Sequence, residues 1–103
     1  MKTESEIRMD FQQAIEQARR LDALADSMDR RTAGRMGSAI EGVHSAWRGD
    51  SAARYLGKVQ TLQKEVRQSA NSLRAAASEV RRIARQIYEA EMRALEIAQS
   101  RRS

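Results

Sequence analysis

The chain has 103 residues with no Pro and no Cys; 32% are charged, 41% hydrophobic and only 4% aromatic, and the formal charge is +5. A chain of this length makes one domain and has no room for a large enclosed catalytic cleft beside a separate core. Without Cys there is neither a disulfide framework nor a thiolate metal site, and no apolar run approaches the roughly 20 residues of a membrane span.

The opening residues Met1-Lys2-Thr3-Glu4-Ser5-Glu6 lack the apolar stretch of a cleaved secretory signal, so none is expected. Seventeen Ala, abundant Arg, Glu and Gln, and the lack of Pro favour helix throughout. In the first half, Ile7, Phe11, Ala14, Ala18, Leu21, Ala25 and Met28 recur alternately four and three residues apart. The pattern slips by one residue near Thr32 and resumes as Met36, Ile40, Val43 and Trp47, a stutter that shifts the seam locally. This predicts a first helix over about residues 5–46.

Gly34, Gly37 and Gly42 interrupt it, each costing about 1 kcal/mol against Ala in a helix interior. Two readings stand side by side. The stretch 32–38 breaks the helix, or Gly34, Ser38 and Gly42, four apart, form a small-residue strip where another helix approaches.

Ser45-Ala46-Trp47-Arg48-Gly49-Asp50-Ser51 divides the halves. Gly49 is suited to the left-handed conformation that ends a helix, and Asp50 or Ser51 can cap the next. Trp47 serves as a large apolar plug at the turn.

The second half carries the longer stripe: Tyr55, Val59, Leu62, Val66, Ser69, Leu73, Ala76, Val80, Ile83, Ile87, Ala90, Ala94 and Ile97. Only Ser69 is polar, and the heptad is sustained for about six repeats. It predicts a second helix over about 50–98 and a polar, fraying tail at 99–103. The turn is short, so the expected fold is all-α, an antiparallel helix-turn-helix hairpin and a single domain. The core of the hairpin or of its dimer is expected from Phe11, Leu21, Val59, Leu62, Val66, Leu73, Val80, Ile83 and Ile87. Two stripes bury one side of each helix and leave about a hundred residues of ordering entropy to offset. A second hairpin, completing a four-helix bundle as homodimer or heterodimer, is the expected remedy.

The charge is uneven. Residues 1–49 are neutral overall, whereas residues 50–103 carry eleven basic and six acidic groups, net +5. Arg67, Arg74 and Arg81 recur every seven residues beside the stripe, joined by Lys64, Arg82 and Arg85. The main reading is a solvated helix face. The minor one is a stripe that follows nucleic-acid phosphates, although no aromatics are interleaved for base stacking and Glu65 and Glu79 interrupt it. His44 has no His or Cys at ligand spacing, so no metal site is expected. No nucleophile–base pair or phosphate-cradling loop stands out, and neither catalysis nor a cofactor nor a small-molecule substrate is expected. Tyr88, Met92 and Leu95, at i, i+4 and i+7, fall off the stripe. They read either as an apolar docking strip on an outer face or as a widening of the bundle interface.

Trp47-Arg48-Gly49, at mid-chain between two long helices, resembles the W-x-G signature of the WXG family of Esx-like small proteins. Ser51-Ala52-Ala53-Arg54-Tyr55 looks like that family's continuation, and Ile87-Tyr88-Glu89-Ala90-Glu91 also resembles its C-terminal part. The resemblance covers nearly the whole chain. It implies a hairpin that dimerises into a four-helix bundle and export by a type VII (Esx) secretion system without a cleaved signal peptide. It further implies a role as secreted substrate, or as partner or adaptor of a larger effector, handled by the secretion ATPase. Trp47 and Gly49 would then shape an export or assembly determinant. Tyr88, Glu91, Met92 and Leu95 would form the strip the machinery reads. The family's signal is often written Tyr-x-x-x-Asp/Glu. Here Met92 stands four residues after Tyr88, and the acid, Glu91, stands at three.

Overall fold

The computed structural model describes residues 1–46 and 49–102. Two helices, α1 (Glu4–Ala46) and α2 (Asp50–Arg102), pack as a hairpin, and there are no strands among the described residues. Thr3 caps α1: the Glu6 amide donates to its hydroxyl oxygen at 3.2 Å, and the hydroxyl donates in turn to the Glu6 carboxylate. This is a variant of the reciprocal capping box. Glu4 and Glu6 complement the positive end of the α1 dipole, and Arg101 and Arg102 the negative end of α2. Trp47 and Arg48 lie outside the described residues. Gly49 has φ +86°, the left-handed conformation, and its carbonyl accepts the first bond of α2 from the Ala53 amide at 3.2 Å.

Two sequence expectations need correction here. Helix α2 continues four residues past the expected end at 98, so 99–102 belong to the helix rather than to a frayed tail. Helix α1 is unbroken through Gly34, Gly37 and Gly42, because an α-helix tolerates isolated glycines when its flanks hold. A side chain built at any of the three would meet nothing within 4 Å among the described residues, so the strip is open on the hairpin's own surface.

The chain divides into two compact units. The first comprises Met1–Asp22 and Ala75–Ser103, and the second Ala23–Arg74. In the first, Ile7, Ala18, Ala77 and Ala84 are buried, flanked by half-buried Phe11, Ala14, Leu21, Val80 and Tyr88. In the second, Ala25, Val43, Ala52, Val59 and Ala70 are buried, with Met28, Thr32, Met36 and Ile40 half-buried on α1. The α1 stripe, including its slip at Thr32, is thus the face that α1 turns inward.

On α2 the inward face differs from the expected one. Ala70 and Ala77 are fully buried and Ala84, a further heptad on, is buried to the same degree as Val59, whereas the other large residues of the stripe are not buried. Val59, Val66, Leu73 and Val80 flank this alanine row and remain in the core. Leu62 (48% exposed), Ile83 (41%) and Ile87 (50%) do not belong to the hairpin's own core, and Tyr55 and Ile97 are exposed with them. The physical reason is size. A face of small alanine side chains is readily covered by a facing helix, and with that face turned inward nine of the thirteen stripe residues are left exposed.

Candidate interaction surface

Three groups of residues arise from this geometry. The first is the uncovered row of α2. In the first unit, Ile83, Ile87, Ala90, Ala94 and Ile97 are all exposed, spaced four and three residues apart along one helix face. In the second, Tyr55 and Leu62 are exposed one heptad apart. Soluble monomers seldom leave so regular an apolar row in water.

The second group surrounds Tyr88. Of the two readings of Tyr88, Met92 and Leu95, an outer docking strip or a widened helix interface, their half-burial agrees with the second. Tyr88 follows the buried Ala84 by four residues, which puts it on the inward face, and its ring lies 4.9 Å from that of Phe11, tilted by 40°. Glu91 follows Ala84 by seven and shares that face. A groove of about 210 Å³ lies here, lined by Ile7, Phe11, Ala14, Ala84, Ile87 and Tyr88 with Lys2, Asp10 and Glu91 at its polar edge. The Lys2 ammonium donates to Asp10 on α1 at 2.8 Å and to Glu91 on α2 at 3.4 Å. The Asp10 bond, and then the Glu91 bond, raise the Lys2 pKa above the ordinary lysine value. A raised lysine pKa favours this contact below that ordinary value, and the contact is lost only as alkaline pH passes the raised one. Glu91 is marked in the sequence only by its place after Tyr88, and Lys2 and Asp10 carry no such mark. The heptad from Ala84 to Glu91 was the available signal.

The third group is ionic. Arg74 donates to Asp26 at 2.8 Å and to Asp29 at 2.7 Å, crossing between the helices in the second unit. In the first unit Arg81 pairs with Asp22. These two arginines are half-buried interhelical partners rather than a solvated face. The turn sets an antiparallel register in which residues summing to about a hundred face each other, which brings acids at 22, 26 and 29 opposite the arginine repeat. Arg82 is held by Glu79 one turn back, and Arg82 keeps the Glu79 carboxyl below the usual carboxylate range. Of the six basic residues that a nucleic-acid reading uses, Arg74, Arg81 and Arg82 are therefore engaged within the chain, while Lys64, Arg67 and Arg85 are exposed.

Among the described residues, no cluster of His, Asp and Glu is arranged to hold a metal ion, and no helix is long and apolar enough to cross a membrane. His44 is exposed. The turn tripeptide contributes Gly49 to the described geometry, and the roles expected for Trp47 and Arg48 lie outside it.

No curated protein and no solved structure matches the chain. A family described as "Proteins of 100 residues with WXG" matches residues 6–92, which takes in nearly all of α1, the Trp47-Arg48-Gly49 tripeptide and most of α2. By that match, which covers well over half of its length, the chain belongs to the WXG100 family.

Proposed function

We propose that this chain is exported by a type VII secretion system and acts as a secreted substrate, or as the partner or adaptor of a larger effector, by pairing its helices with those of a second hairpin. Proteins of the WXG100 family are small, non-enzymatic helical proteins secreted through type VII systems, and they typically dimerise and work with that machinery. The observation that carries the pairing reading is the exposed row on α2, because a family hairpin with most of that seam uncovered has a face suited to a second helix pair. The partner is a second copy or a related hairpin chain. Together they would form a four-helix bundle in which Tyr55, Leu62, Ile83, Ile87 and Ile97 become interior. Trp47 and Gly49 would shape the hairpin end, and Tyr88 with Glu91, Met92 and Leu95 would form the region that the secretion ATPase reads.

The test is fractionation of the source organism with and without its type VII ATPase, blotting the culture filtrate for this chain. ATPase-dependent appearance outside the cells is the expected result. Retention inside the cells of both strains would overturn the export reading. Light scattering on the purified chain checks the pairing: a mass near twice 11.7 kDa is expected for a self-pair. A stable monomer that also fails to take up any related hairpin chain would remove the pairing reading.

A further inference from the structure

We propose that the notch beside the Phe11–Tyr88 ring pair is a docking site for a lysine or arginine side chain of a partner protein, and that the Lys2 ammonium holds its acidic lip in the free chain. The notch presents an apolar wall and an acidic lip. The two rings, 4.9 Å apart, form the wall together with Ile87. Asp10 from α1 and Glu91 from α2 form the lip, and the Lys2 ammonium bridges them at 2.8 and 3.4 Å. An aliphatic stem against apolar surface with a cationic head between two carboxylates is the recognition chemistry of a basic side chain. Lys2 satisfies it from within the chain.

Lys2 is about half exposed, with 49% of its side chain open to solvent, so its bonds are of the kind a competitor can replace. An anionic or neutral competitor would leave both carboxylates without a counter-charge, which commits the site to a cation. The occupant comes from a protein because Ile87 belongs both to the notch and to the uncovered row of α2. A partner helix lying along that row would carry a basic residue to the lip. The notch goes beyond the export reading and does not depend on it, while its occupant rests on the pairing reading of the α2 row.

The experiment uses the full chain and two synthetic amphipathic helical peptides, alike except that one carries a central lysine and the other norleucine at that position. Binding is followed by the ring resonances of Tyr88. The lysine peptide should bind more tightly than the norleucine peptide, and the preference should disappear in a variant combining Asp10→Asn and Glu91→Gln. Lys2→Ala should tighten lysine-peptide binding about two- to fivefold, the range set by displacing exposed ion pairs. Equal binding of the two peptides, or no gain in Lys2→Ala, would overturn the proposal. All substituted positions are at the surface edge of the notch, and circular dichroism verifies that each variant retains its helices. Loss of export in cells would not mimic these outcomes, since they are read on purified protein.

Discussion

Gly49 sits at φ +86°, where a Cβ is strained whatever the surrounding space. Gly49→Ala should therefore destabilise the hairpin by about 1–2 kcal/mol in urea unfolding. Gly34 is an interior position of α1, with open space where a Cβ would stand. Gly34→Ala should stabilise by up to about 1 kcal/mol, since it adds helix propensity and meets no obstacle. A result of the same sign at both positions would contradict the backbone geometry assigned to them. Tyr88 raises a different question, because a proposed export signal and a packing role coincide on one side chain. Its ring contact with Phe11 means that Tyr88→Ala should cost about 1–3 kcal/mol, an aromatic pair plus partial burial. Tyr88→Phe keeps the ring and should unfold like the parent. Export assays on Tyr88→Ala alone would confuse folding with recognition, whereas Tyr88→Phe isolates the hydroxyl. A Tyr88→Ala protein as stable as the parent would show that the ring pair contributes nothing.

At the scale of the helices, the alanine row of α2 decides how α1 and α2 meet. Ala77 is fully buried, and Ala77→Leu would force extra methylenes between two closely packed backbones. An overpacking cost of about 1–3 kcal/mol is expected in urea unfolding. Unchanged stability would mean that the helices are not held this closely. The same row explains which part of the fold was legible beforehand. The α1 stripe could be read because large residues such as Ile7, Phe11 and Leu21 mark its single inward face. On α2 the periodicity mixed two faces. Val59, Val66, Leu73 and Val80 border the intramolecular contact, while Leu62, Ile83, Ile87 and Ile97 mark the uncovered one. A hydrophobicity pattern weights isoleucine above alanine, so the buried alanines passed as ordinary helix formers. The ion pairs of Arg74 and Arg81 were hidden for another reason: they need the register that only the turn supplies. The Lys2 contact was hidden likewise, because it joins residues 89 positions apart.

For the whole molecule, the separation of charge bears on what covers α2. Residues 1–49 are neutral overall and residues 50–103 carry +5, so the uncovered apolar row lies on the basic helix. In a two-fold self-pair the same patch meets itself, which sets one basic helix against another. Hydrophobic contact favours such a pair and charge opposes it. Salt separates the two contributions, because raising ionic strength from about 0.01 to about 1 M shrinks the screening length from roughly 30 to roughly 3 Å. Self-association through this row should therefore strengthen with salt, seen as a rising mass in light scattering. Pairing with an acidic hairpin chain should weaken over the same range. Ile83 and Ile97 provide the control. Both are exposed in the hairpin, at 41% and 54%, so replacing both by Ser should change the unfolding free energy by no more than about 0.5 kcal/mol at each site. The same double variant should stay at monomer mass at every salt concentration. If it associated as the parent does, the row on α2 would not be the pairing face, and the salt response would have to come from another surface.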